Sequence, residues 1–362
     1  MMLTPSQSPQ GQPPGKLRGP PYLPNAAGVG GVPTVSVDVP ISAVFIAIFI
    51  VGAVGHMRLF KLNLSRGHKF IPSAVTFGFC MARIVANILR IAWATRQTNV
   101  RLGIAANVFV AAGVLLLFIL NLLYCQRLLR ASHPRLGWSR SMSYFIKALY
   151  IIIAATLVIV ITATVQSFYT LNADIRRIDR NLQLYGGSYL TFISFLPLPI
   201  LAYVQLAPRK GRAQPVESFG KGSWTAKCLI VGTAGVLLTL GAGFRLGTSA
   251  MPPRPVFHPA WYHHKACFYI FNFGLEAIVV YLFLLGRVDQ RFYVPDGSSK
   301  VRNYSEKRKD GYAASLGGEK VQDEEEVSEF AKKRNPGKYI EEKIIDGCLE
   351  QEPVCGMSPN GY

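Results

Sequence analysis

Seven apolar runs of about twenty residues or more follow one another along the chain, separated by short polar segments rich in Lys and Arg. They lie near Ile41 to Leu59, Phe70 to Ala94, Leu102 to Cys125, Ser143 to Tyr169, Leu184 to Ala207, Trp224 to Leu246 and His264 to Gly286. At about 1.5 Å per residue, a helix of this length crosses the roughly 30 Å hydrocarbon layer of a bilayer. A soluble domain buries short apolar runs but does not string seven of this size in succession. The pattern therefore predicts an all-α polytopic membrane protein, a seven-transmembrane helix bundle over residues 39–295, and an odd number of crossings puts the termini on opposite sides.

The flanks read differently. Residues 1–38 are a run of Pro, Gly, Ser and Gln without apolar periodicity, which predicts a disordered extracellular leader. Lys16 and Arg18 do not abut a short apolar core with a cleavage site, so the leader is not read as a signal peptide. Residues 296–362 turn polar, with Lys307, Arg308 and Lys309 near the last run and Asp323 to Glu326 beyond. This predicts a disordered cytosolic tail, either simply solvated or docking a cytosolic partner.

Charge sharpens the topology. The whole chain carries a formal net charge of +19, yet 14 of its 20 acidic residues fall from Asp296 onward. The basic residues before that point sit in short loops rather than on a polar helix face, so the partner they imply is an anionic lipid surface and no nucleic acid. Loops on the side reached after the first run, with the segment following the last, hold eighteen Lys and Arg against eight on the other side. Retention of positive loops in the cytosol then predicts the N-terminus outside and the C-terminus in the cytosol, with the plasma membrane as one candidate location. The Asn63-Leu64-Ser65 and Asn303-Tyr304-Ser305 sequons would lie on the cytosolic side, unmodified.

Ionisable groups at mid-membrane are costly and face the bundle interior or a wet cavity. Arg83, Asn87 and Arg90 are spaced to share one face of the second span. Glu276 is the one carboxylate inside the seven predicted runs and lies at mid-depth, as Arg83 does, so the two are expected to pair. Arg245 closes the sixth span on the side toward which Arg90 lies. Those two arginines either line an outward-facing pocket for an anionic ligand such as a phospholipid head group, or bond separately to the interface and to loop carbonyls.

Gly235, Thr239, Gly243 and Gly247 form a small-residue stripe expected to admit a neighbouring backbone, and Pro197 and Pro199 are expected to kink the fifth span. His258, His263, His264 and Cys267 do not make a metal site on this spacing, because adjacent helical residues point about 100° apart and no carboxylate stands near. Trp261 and Tyr262 beside them read as interfacial anchors. The six cysteines suggest no disulfide framework. No nucleophile elbow, phosphate loop or His-Glu-x-x-His pair is present, so the chain is expected to be no enzyme and to need no cofactor.

One further pattern stands out in Gly243-Phe244-Arg245, in Trp261-Tyr262-His263-His264, and in Phe268 to Glu276 followed by Arg287-Val288-Asp289-Gln290-Arg291-Phe292. These stretches resemble a fungal family of seven-span membrane proteins of unknown function, sometimes labelled family-C-like G-protein-coupled receptors. The likeness covers roughly Val39 to Gly297. More distantly, the chain resembles the fungal lipid-translocating exporter family. The resemblance implies the seven-span topology and singles out Arg83, Arg90, Arg245 and Glu276. Three functions stay open: a receptor or sensor for a small or lipidic ligand, a lipid or small-molecule exporter using the same polar residues, and a structural or scaffolding membrane protein acting through its tail.

Overall fold

The computed structural model describes residues 19–22, 26–207 and 219–294. Among these, seven helices are long and apolar enough to cross a membrane: α1 (Val35–Ser65), α2 (Ile71–Thr95), α3 (Val100–Ser132), α4 (Arg140–Tyr169), α5 (Ala173–Leu206), α6 (Trp224–Ala250) and α7 (Lys265–Leu285). The molecule is thus an all-α, multi-pass, membrane-type bundle. The predicted tail, the second sequon and most of the loop between α5 and α6 lie outside the described residues.

Polar caps set where several helices begin. Ser139 Oγ accepts from the Met142 amide, Asn172 Oδ1 from Asp174 and Ser223 Oγ from Ala226, each satisfying a backbone donor left over in the first helical turn. From there the apolar residues choose partners. α1 packs on α2, α2 on the first half of α3, and α7 returns against α1 and α6. The second half of α3 runs among α2, α5 and α6, and α3 is the most enclosed span. α4 is the most peripheral, turning Ile151 and Val158 outward as a lipid-facing helix would.

Three helices are interrupted. α3 breaks at Val114, α5 at Leu196, and α7 contains a π-helical turn over Ile270–Gly274. At α5 the cause is plain, since Pro197 has no N–H to continue the ladder. On α6, glycine admits close contact at only one end of the expected stripe and at a position off it. A Cβ at Gly235 would stand 2.9 Å from Leu198 Cδ2 and one at Gly241 3.1 Å from the Phe271 carbonyl, whereas Gly243 and Gly247 face open space. Close approach occurs at Gly235 and Gly241 because those positions, on the α5 and α7 sides of α6, meet the α5 break and the π turn.

The leader and the first helix also depart from expectation. α1 starts at Val35, so Asp38 lies in its first turn rather than in a disordered leader. Residues 26–34 are tied across the bundle: the Ala27 amide donates to the Arg254 carbonyl at 2.8 Å, Gly30 to His263 at 2.9 Å, and the Gln97 side chain to the Pro33 carbonyl. Ala26 and Pro255 form an isolated bridge. Gly30 has φ 82° and lies on Phe268, where a Cβ would come within 2.6 Å of the ring, so only glycine fits this crossing. Composition hid this because main-chain hydrogen bonds, not apolar side chains, hold the strap.

At the opposite end Arg287 adopts left-handed φ 47°, turning the chain after α7 so that Asp289 accepts from Asn63 of α1 at 3.1 Å and from Arg287 at 3.1 Å. Asn63 is buried in this contact. The first sequon therefore presents no free acceptor, whichever side it faces.

Candidate functional site

The polar residues of the bundle interior gather in two nodes. The central node forms where α2, α3, α6 and α7 meet. Arg83 donates from Nε to Glu276 Oε2 at 2.5 Å and from Nη2 to Oε1 at 2.8 Å, a two-pronged match of guanidinium and carboxylate. Its Nη1 donates to the carbonyls of Phe109 and Val110, just ahead of the α3 break. Gly113 makes that possible, since a Cβ there would sit 3.0 Å from Nη1. Phe79 and Phe273 flank the guanidinium at 5.2 and 5.6 Å from its carbon to the ring centroids. Arg83 is fully buried and Glu276 2% exposed, so the pair is shut off from solvent. Isolated charges here would cost several kcal/mol, roughly.

Arg245 is held far more loosely. Its Nη1 reaches Glu276 Oε1 at 3.3 Å and Asn272 Oδ1 at 3.4 Å, both long, and its side chain is 24% exposed. Among the described residues its Nε and Nη2 have no partner, which leaves one edge of the guanidinium open. Asn272 lies within the π turn, and its Nδ2 donates back to the Phe268 carbonyl. Beside it Phe244 and Phe271 stack at 3.9 Å, joining α6 to the same turn. Asn87 belongs to α2 below Arg90 and bonds through Nδ2 to the Arg83 carbonyl; its buried Oδ1 has no partner.

The second node lies where the leader meets the bundle. Asp38, fully buried, accepts from the Thr34 amide at 2.8 Å, from Arg90 Nε at 2.9 Å, from Lys265 at 2.5 Å and from the Tyr269 hydroxyl at 3.0 Å. Arg90 also donates to the Gly30 carbonyl at 3.0 Å and stacks over Phe268 at 4.0 Å. Lys265 bonds to Thr34 as well. Nearby, burial and the Arg254 charge hold the His263 imidazole below its usual value, and its Nδ1 accepts from the Ala260 amide at 3.0 Å.

The structure therefore brings Arg83, Arg245 and Glu276 together with Asn87 close behind, and places Arg90 elsewhere. Of the two arrangements left open for Arg90 and Arg245, the jointly lined pocket does not form, and Arg90 bonds instead to a leader carbonyl and to Asp38. Arg90 is taken by Asp38 and the strap, because a second carboxylate stands within α1 that the apolar runs had excluded. Asp38, Lys265, Tyr269 and Asn272 are the residues that sequence reasoning missed. One signal was available: with only six acidic residues among the first 295, each acid at the edge of an apolar run needs a cation.

A family model described as a protein of unknown function (DUF3112) matches residues 220–293, which covers α6, the connecting segment, α7 and the turn after it. No curated protein and no solved structure matches the chain.

Proposed function

We propose that the protein is a non-enzymatic seven-span receptor or sensor whose bundle takes a small or lipidic ligand with an anionic head, seated at Arg245 between α6 and α7. The observation that supports this is the sharing of Glu276: Arg83 consumes the carboxylate, and Arg245 keeps an open Nε and Nη2 edge of the kind that grips a phosphate or carboxylate in two-pronged fashion. Arg245 is five residues from the end of α6 at Ala250, about 8 Å along the helix, the depth of a lipid head group and its first carbons. An anion there competes with Glu276 and Asn272 for Arg245, so its binding biases the π turn of α7 between two arrangements. On this reading the N-terminus is outside, the tail faces the cytosol, and loop and tail engage a cytosolic partner.

A second reading, an exporter of lipids or small molecules, draws support from the interruptions of α3, α5 and α7, since broken helices near mid-depth are a feature of transporter sites. Purified protein in phosphatidylcholine nanodiscs, alone or with phosphatidic acid or oleate added, tests both. Native mass spectrometry should show retained phosphatidic acid or oleate on the wild type, and Arg245→Gln should weaken that retention about tenfold or more. Equal retention of all three lipids by the wild type would sink the anion site. Net movement of labelled lipid across sealed vesicles would decide for the exporter.

A further inference from the structure

Asn121 lies on the enclosed half of α3, 1% exposed, facing α6. The other buried asparagines are all bonded: Asn87 and Asn272 to the carbonyl four residues earlier, and Asn63 to Asp289. Asn121 is not, and neither its Nδ2 nor its Oδ1 has a partner. Its amide instead lies over the backbone of Gly235, where a Cβ would stand 3.4 Å from Nδ2. One turn further along α6, Thr239 shows the same behaviour. Thr76, Thr162 and Thr191 donate to the carbonyl four residues before them, but Thr239 Oγ1 makes no bond at all. Two polar side chains on facing or successive positions have both declined the local bond that their counterparts make.

The third wall is α5. The Ile193 carbonyl would take its helical hydrogen bond from residue 197, which is proline and has none to give, and the helix breaks at Leu196. Past the break, Leu198 packs against Gly235 and the Pro197 carbonyl accepts from Cys125. The unpartnered Asn121 amide thus lies at Gly235, where Leu198 just past the α5 break also packs, and the unpartnered Thr239 hydroxyl is one turn away on α6, in an interior where lipid outside supplies no substitute partner.

We propose that Asn121 binds ordered water at this crossing, and that the water bridges Asn121 and Thr239 to the broken turn of α5. Water is the class of ligand that fits: small, neutral, both donor and acceptor, and satisfied by the two to four polar groups gathered here, roughly the number a buried water uses. A ligand with an apolar tail has no route, since Asn121 is 1% exposed and lies against the Gly235 backbone beside Leu198. The hydrated turn is a pivot for the second half of α5, because its carbonyl keeps a partner whichever way the helix bends. This site is separate from Arg245 and does not depend on anion binding there.

A density map of the wild-type protein in nanodiscs, at a resolution that shows water, tests the proposal directly. Density within hydrogen-bond distance of both Asn121 and Thr239 supports it. An amide turned onto protein groups, with no such density, overturns it. Thermal melting of Asn121→Leu, Thr239→Val and the double variant gives an independent arm. A bridging water predicts that each substitution lowers Tm by a few degrees and that the double variant loses less than the two combined. A rise in Tm for Asn121→Leu, or additive losses, overturns the proposal. If Asn121→Leu yields no folded protein, the wild-type map decides alone.

Discussion

Two nodes in this bundle each set one carboxylate between two cations, and they treat the second cation in opposite ways. At Asp38 the second cation, Lys265, is drawn in to 2.5 Å and also bonds Thr34, so both cations are spent. At Glu276 the first arginine takes both oxygens, and Arg245 is left with one long contact at 3.3 Å. The same ratio of charges therefore gives a closed lock where the leader meets the bundle and an unsaturated cation beside Glu276. The difference lies in the acceptor's surroundings: Asp38 is met from three sides by the strap, α2 and α7, while both oxygens of Glu276 are engaged by the Arg83 fork before Arg245 reaches one of them.

The largest break in that comparison should come from Glu276→Gln. Removing the carboxylate leaves Arg83 buried without a counter-charge, a loss of about 3–5 kcal/mol for a fully enclosed pair, read as lost folded yield in fluorescence-detected size exclusion. Arg83→Gln in the same chain should restore part of it. A Glu276→Gln protein with wild-type yield and Tm would show that the central node is not structural.

Asp38→Asn should cost less, about 1–3 kcal/mol, because Lys265 is 22% exposed and can turn to solvent while Arg90 keeps the Gly30 carbonyl. Its signature is local: faster amide hydrogen exchange of Ala27 and Gly30, with the interior of α3 unchanged. Uniform loss of protection through the bundle would mean the two nodes are one cooperative unit.

The smallest effect concerns pH. The His263 imidazole titrates below its free value in the folded chain, so the neutral form is the one that the fold favours. The linked stability is fully present above the unfolded value of about 6.5 and is lost as pH falls through the window below it. Protonation also removes the acceptor that Nδ1 offers to Ala260. Protection of the Gly30 amide, which bonds to the His263 carbonyl, taken relative to its intrinsic exchange rate at each pH, should fall below that pH in wild type and stay flat in His263→Gln.

Some residues carry the architecture in the sequence itself. Pro197 announced the interruption of α5, because a missing N–H is a local property. Arg83 and Glu276 announced each other, because each stands at mid-depth in an apolar run with nothing nearby to neutralise it. Arg90 misled for the complementary reason. Its partner Asp38 is 52 residues away, at the edge of a Pro- and Gly-rich segment whose composition says nothing about order. The glycine stripe misled similarly: Gly243 and Gly247 share a face with Gly235, but which part of a face meets a neighbour depends on where that neighbour bends. The π turn had no visible signal, since Ile270 to Gly274 are ordinary helix formers apart from the glycine.

Seven long apolar runs were enough by themselves to dictate a helical membrane bundle, because backbone groups in hydrocarbon must be satisfied within each segment and helix is the local way to do it. Which cation answers which carboxylate was decided only in three dimensions. Charge pairing, strap docking and the unpartnered Asn121 amide all depend on distances between segments far apart in the chain, and periodicity along one segment carries no information about what stands across from it.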